Sequence, residues 1–314
     1  NGTARLDGGL PLSVAGDLNA EIRYEVERLE KMVADIVDPA PAASPGPGLA
    51  NPLGEFLIDN GASPGTVERL LTRFVGETGC AGNDRPGALA WLAGYLGSGE
   101  DDLASLQGNH AFLCEHESDR LELALDTARR LHGDGRKVLV LAVLPDPDRD
   151  LPRLRNSAGE SGHDAAVLRE ADQIGHLSGE IAGYDTVLLD MPSLNHPAMA
   201  ESSTLHTWLA TNTDCHRHLV VPMDRDFQDL GYLREAARSW NGDCLVLTRT
   251  GQTSRPAKLL DLLDAIPLPV SLLRGTGETV PQPLCATSEN LLDLILKNDG
   301  AYGAGQPQAP GPEK

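Results

Sequence analysis

From residue 108 onward the chain alternates short, continuous apolar runs with stretches that carry apolar residues at helical spacing. The runs at 111–114, 138–144, 165–168, 185–190, 218–223, 244–248 and 269–273 have the length of strands. A strand that is apolar throughout must be covered on both faces, and strand–helix–strand alternation makes successive strands parallel. The pattern predicts an α/β fold, a parallel sheet with helices on both faces. After the first run, Leu121, Ala124, Leu125, Ala128 and Leu131 share one face of a helix over 120–131. Asp119 stands at its N-cap, Glu122 completes a capping-box spacing, and Gly133 and Gly135 end it. A last helix is expected over 289–296.

The N-terminal third reads differently. Residues 1–16 are Gly-rich and polar, and are expected to be disordered. Leu18, Ile22, Val26, Leu29, Met32, Val33 and Ile36 recur at helical spacing over 17–37, with Asp17 as N-cap. The proline-rich stretch 38–52 cannot continue a helix and reads as a linker. Residues 53–107 read as a small helical domain, with helices near 53–60, 64–74 and 86–95. The α/β domain then covers 108–297, and the Gly/Pro/Gln-rich tail 298–314 is expected to be disordered. No internal repeat is present.

Composition narrows the function classes. The formal net charge is -20, which repels phosphate backbones and anionic headgroups, so direct nucleic-acid binding and membrane insertion are not expected. A protein partner with a basic face fits better. No apolar run reaches the roughly 18 residues of a membrane span, and no charged-then-apolar leader opens the sequence. A cytoplasmic protein is expected. Five cysteines, at 80, 114, 215, 244 and 285, show neither CxxC spacing nor disulfide-framework density, as in a reducing compartment.

Ligands of parallel α/β sheets bind at the carboxyl ends of the strands. The first strand leads into its helix through Cys114-Glu115-His116-Glu117-Ser118-Asp119-Arg120-Leu121. A phosphate loop there needs glycines, so that backbone N–H groups curl around the anion. It also needs a lysine for the terminal phosphates and a hydroxyl for Mg²⁺. This turn has no glycine and carries Glu115, Glu117 and Asp119 where phosphate oxygens would lie. Like unit charges a few Å apart cost about 1 kcal/mol even in bulk water.

The order of elements resembles the signal-recognition-particle-type GTPases, most nearly the flagellar branch typified by FlhF. The resemblance spans 51–296 and rests on local motifs in order. These are the turn Asn60-Gly61-Ala62-Ser63, Arg136-Lys137-Val138 entering the second strand, and Asp185-Thr186-Val187-Leu188-Leu189-Asp190, like the strand that ends in the family's DTAG. Leu245-Val246-Leu247-Thr248-Arg249 is similar to the strand that ends in TKxD, and Thr253-Ser254 follows it. Leu268-Pro269-Val270-Ser271 and Gly277-Glu278-Thr279-Val280-Pro281 resemble the closing strand and the GQxVP loop.

The departures from that family are concentrated at the nucleotide site. Against GPTGVGKTT, Cys114, Glu117 and Asp119 replace the glycines, Arg120 the lysine, and Leu121 the Mg²⁺-binding threonine. The position of DTYR reads Leu144-Pro145-Asp146-Pro147. DTAG becomes Asp190-Met191-Pro192-Ser193, and TKxD becomes Thr248-Arg249-Thr250-Gly251, without the carboxylate that reads guanine. The resemblance with these losses implies a pseudo-GTPase: no catalytic residues, no cofactor and no metal. Family members dimerise across their nucleotide faces. What the resemblance implies is a scaffold or regulatory module, set in polar flagellum assembly and recruited to the cell pole or membrane by a partner. That partner is a flagellar GTPase of the same type, another polar flagellar component, or a second copy. The residues expected at the contact are Glu115, His116, Glu117, Asp119, Arg120, Met191, Asn195 and His196.

Alternatives are an NTP-binding enzyme that uses Arg120 and Arg249 in an altered pose, and a ParA/MinD-like partitioning ATPase. Arg120 in a salt bridge to Glu117, Asp190 or another loop carboxylate would fill the phosphate position itself. Cys215-His216-Arg217-His218 hints at zinc but has no second ligand pair, and His218 is read as opening a strand. His110, His116 and His196 are read as loop or strand-end residues near the site, able to form a pH-sensitive patch. Ser193 lacks a nucleophile elbow, and 157–163 reads as a flexible Gly/Ser loop.

Overall fold

Proline and a capping side chain start the first helices. In a computed structural model of the chain, Asn51 accepts a hydrogen bond from the Leu53 amide and Pro52 follows, opening α1 (Pro52–Asp59). Ser63 and Pro64 repeat the device at α2 (Pro64–Thr78), which ends on Gly79 at φ 68°. Helix α3 (Arg85–Leu96) completes this group. The structure describes residues 51–81, 83–96, 106–115, 117–176, 181–200, 203–225, 227, 230–275 and 283–297, without the side chains of 117–119. The expected helix over 17–37, the linker to residue 50, both terminal segments and Gly277–Pro281 lie outside these residues.

The α/β part follows in the order β1 (Gly108–Leu113), α4 (Glu117–Gly133), β2 (Val138–Val143), α5 (Asp150–Ser161), β3 (Asp164–Leu168) and β4 (Thr186–Asp190). Then come α6 (Thr204–Thr211), β5 (Cys215–Pro222), α7 (Leu230–Ser239), β6 (Cys244–Thr248), α8 (Leu259–Ala265), β7 (Val270–Arg274), β8 (Leu284–Cys285) and α9 (Ser288–Leu296). Among the described residues they form one eight-stranded sheet, in the order β3-β2-β4-β1-β5-β6-β7-β8. All pairs are parallel except β7 with β8. The short antiparallel β8 had no sequence signal, since two residues show no alternation.

Every residue of β2, β4 and β6 is buried, as continuous apolar runs require. The strands divide their side chains between two cores. Ala111, Leu113, Leu141, Leu189, Val221 and Leu247 belong to one. Phe112, Val140, Leu188, Val220 and Val246 face the other, where Leu121, Leu125 and Ala128 of α4 lie over them. Helices α1 and α2 are tied to the sheet domain by polar contacts. The Ala257 amide donates to the Asn60 carbonyl, Asp261 accepts from the amide and hydroxyl of Ser63, and Arg69 pairs with Asp264. Gly61 sits at φ 106°, and a Cβ there would lie 2.6 Å from that of Arg255. Only glycine permits this approach.

Three local expectations are corrected. Helix α4 starts at Glu117, so Asp119 lies inside its first turn and is not the N-cap. Residues 157–161 are the end of α5, not a flexible loop. Leu154 and Ser157 bury one side of that helix, and Gly162 at φ 81° caps it. Strand β5 begins at Cys215, so His218 is an interior residue and not its opening one.

Candidate functional site

Strands β2, β3 and β4 lie to one side of β1, and β5 to β8 lie to the other. The chain's direction of travel reverses at β1, and such sheets bind ligands at the carboxyl ends beside that reversal. At this point Nε of Arg120, from the first turn of α4, donates to Oδ1 of Asp190, the last residue of β4. The side chains are 4% and 1% exposed. Of the carboxylates offered to Arg120 in sequence, Asp190 is thus the one it pairs with among the described residues. Nη1 of Arg120 and Oδ2 of Asp190 have no hydrogen-bond partner among the described residues. Burial pushes the Asp190 carboxyl up to about 6, although the adjacent Arg120 pulls it down. Next to them, burial pushes Asp150 up but is outweighed by hydrogen bonds from the Arg149 side chain and the Asp146 amide, so its carboxyl lies below the usual range.

The turn after β1 is stitched to the loop after β4. The Leu194 amide donates to the Cys114 carbonyl at 3.0 Å, and the Ser193 hydroxyl to the Glu115 carbonyl at 2.5 Å. A phosphate cradle points N–H groups inward. Here two consecutive carbonyls of the turn are engaged with the neighbouring loop. Leu144 and Arg249, after β2 and β6, hold left-handed backbone at φ 51° and 55°, unusual for residues with a Cβ. Nη1 of Arg249 donates to Asp224 at 2.9 Å. The two arginines of the altered-pose reading thus each hold a carboxylate. The residues present do not fit a triphosphate with its Mg²⁺: the carboxylate at the end of β4 is buried against an arginine and the turn lacks glycine. Among the described residues, no group of three or more His, Cys, Asp or Glu side chains is placed to hold a metal ion.

The predicted contact residues separate. Asn195 and His196 are exposed and Glu115 is half-buried. Arg120 and Met191 are buried at 3% and 0%, so neither can meet a partner; this corrects the expectation for both. Cys114, Leu121 and Ser193 are also buried, while Gly251 is exposed and its carbonyl accepts from Lys297. His116 and the side chains of Glu117 and Asp119 lie outside the described residues.

His110 lies neither in a loop nor at the carboxyl end of its strand, which corrects the expectation for it. It is 3% exposed on β1, toward the strand's amino end, and belongs to a buried chain across the sheet. Its Nε2 lies 3.1 Å from the Gln107 carbonyl, and its Nδ1 lies 2.9 Å from Nε2 of His218. Nδ1 of His218 lies 3.1 Å from the Ser271 hydroxyl and 3.0 Å from the Cys244 thiol. Since a carbonyl only accepts, His110 must donate from Nε2 and accept at Nδ1 while neutral. Parity along each strand does not find the pair, because residues 110 and 218 share a face only once β1 is paired with β5.

Burial lowers His110 to about 4 and holds His218 well below its ordinary value. A histidine depressed on folding contributes stability that is complete above its unfolded pKa near 6.5 and is lost as the pH falls toward the folded value. Asp190, raised on folding, has the opposite sign: its contribution is complete below about 4 and is lost as the pH rises through about 6. Comparison with His110→Gln separates the two. Between pH 7 and pH 5 the parent should lose about 2 kcal/mol more than the variant in urea unfolding. Equal losses would mean that burial does not depress His110, its pKa being the same in the folded and the unfolded chain.

No protein-family model matches the sequence, and no curated protein matches it either. Solved structures do match. FlhF complexed with GTP and Mg²⁺ superposes with a TM-score of 0.61 at 13% identity, covering 77% of this chain and 96% of that one. Chloroplast FtsY from Physcomitrella patens gives 0.62 at 16%, covering 77% and 86%. The signal recognition particle 54 kDa protein from Aeropyrum pernix K1, in complex with GDP, gives 0.60 at 17%, covering 80% of this chain and 62% of that one. The chain therefore has the fold of the signal-recognition-particle-type GTPases.

Proposed function

We propose that this chain is a pseudo-GTPase: a domain that keeps the GTPase fold, has given up nucleotide chemistry, and serves as a protein-interaction scaffold. The observation that carries the reading is the buried Arg120–Asp190 pair at the end of β4. In it, the arginine that stands where the family has its phosphate lysine neutralises the surviving motif aspartate. The glycine-free turn and the Arg249–Asp224 pair support the same reading.

The contact surface in this proposal is the exposed part of the loop after β4, Asn195 and His196, with Glu115 beside it. The flagellar setting comes from the resemblance to FlhF. A scaffold of this kind needs no turnover. Phosphate release from GTP or ATP with Mg²⁺ should stay at the buffer background, for the parent and for Arg120→Ala alike. Sustained release by the parent that disappears in Asp190→Ala would overturn the proposal.

A further inference from the structure

Strand β3 ends the sheet. It pairs with β2, and among the described residues no strand pairs its other edge. A cavity of about 420 Å³ lies between α5 and this strand. Asp164, Ala165, Ala166 and Val167 all line it. Successive side chains of a strand point to opposite faces. A space touched by four consecutive residues therefore runs beside the strand's open backbone edge and not over one face. It continues toward the loop between β2 and α5 as a second cavity of about 230 Å³, and both are bordered by Leu151, Val167 and Arg169.

One buried polar side chain at this groove lacks a partner among the described residues. His163 is 3% exposed, lines the larger cavity, and has no hydrogen-bond partner at either ring nitrogen among the described residues. Buried polar atoms in native proteins are nearly always satisfied, so an unmet imidazole beside a cavity points to a ligand. Arg155 and Arg169 also line the cavity and are exposed, and neither guanidinium forms an ion pair among the described residues. By contrast, Arg120, Arg149, Arg249 and Arg274 each hold a carboxylate. The carboxylate that lines the same cavity, Asp164, accepts from the Tyr184 hydroxyl and pairs with neither arginine.

We infer that this edge is a docking groove for an extended acidic segment of a partner protein, which adds to the sheet beside β3. The open edge supplies main-chain hydrogen bonds, and Leu151 and Val167 offer an apolar wall for alternate side chains. Arg155 and Arg169 take carboxylates, for which a guanidinium's forked donors are shaped. The imidazole of His163 meets a polar atom of the incoming strand. This groove involves neither Arg120 nor Asp190, so it stands or falls independently of the nucleotide reading.

The test uses the full chain and two short labelled peptides, one alternating glutamate with valine and one alternating lysine with valine. Fluorescence anisotropy should show binding of the glutamate peptide only. Arg155→Glu with Arg169→Glu should weaken it about tenfold or more, and Arg155→Gln with Arg169→Gln should weaken it less. Both arginines are exposed, so the variants should fold as the parent does. Hydrogen exchange of the amides of 164–168 should slow when the glutamate peptide is bound. No binding, binding indifferent to the arginine substitutions, or binding without protection of 164–168 would each overturn the proposal. So would full displacement by an equal concentration of free glutarate, which would assign the site to a small carboxylate.

Discussion

Asp190→Ala should destabilise the fold by about 3–5 kcal/mol, the range for breaking a buried ion pair from one side. Arg120 is 3% exposed, and Asp190 is its carboxylate partner. Without that carboxylate its guanidinium stays buried with no counter-charge. The double change Arg120→Met with Asp190→Leu should recover most of the loss, because replacing both ions of a buried pair by apolar groups of similar volume is often neutral or stabilising. Urea unfolding of the parent, Arg120→Met, Asp190→Leu and the double variant gives the coupling directly. A cost below about 1 kcal/mol for Asp190→Ala is the size expected of a solvent-exposed pair. It would mean that the two side chains do not meet in a dry site.

Much of the fold was legible because continuous apolar strands have few alternatives. Val138–Val143 and Cys244–Thr248 are buried at every residue, and a parallel sheet covered on both faces is the arrangement that buries such runs. The boundaries of α4 and α5 were less legible. Arg120–Leu131 shows the apolar face, but the turn before Arg120 is polar and its helicity leaves no periodic mark. At α5, Gly159 and the serines suggest a loop, and only the packing of Leu154 and Ser157 makes the segment helical.

The site was half legible. The missing glycines of 114–119 are visible in any reading of the turn. Which carboxylate Arg120 would find was not, since Arg120 and Asp190 lie 70 residues apart and meet through the pairing of β1 with β4. Met191 reads as a loop residue in sequence, yet it is fully buried because the loop after β4 folds back onto the turn after β1. The chain of His110, His218 and Cys244 was hidden for the same reason: each belongs to a different strand.

The remaining large effect concerns nucleotide. The similar FlhF structure is a complex with GTP and Mg²⁺. For a terminal phosphate to enter here, Arg120 must leave Asp190 and a second negative charge must approach that carboxylate. At about 4 Å and an effective dielectric near 20, such a repulsion is roughly 4 kcal/mol, as large as the whole binding free energy at a millimolar Kd. Calorimetric titration of the intact chain with Mg·GTP and Mg·ATP is the most direct measurement. The Arg120–Asp190 plug predicts no saturable heat for either nucleotide up to about millimolar concentration. A stoichiometric isotherm with a micromolar Kd would contradict it.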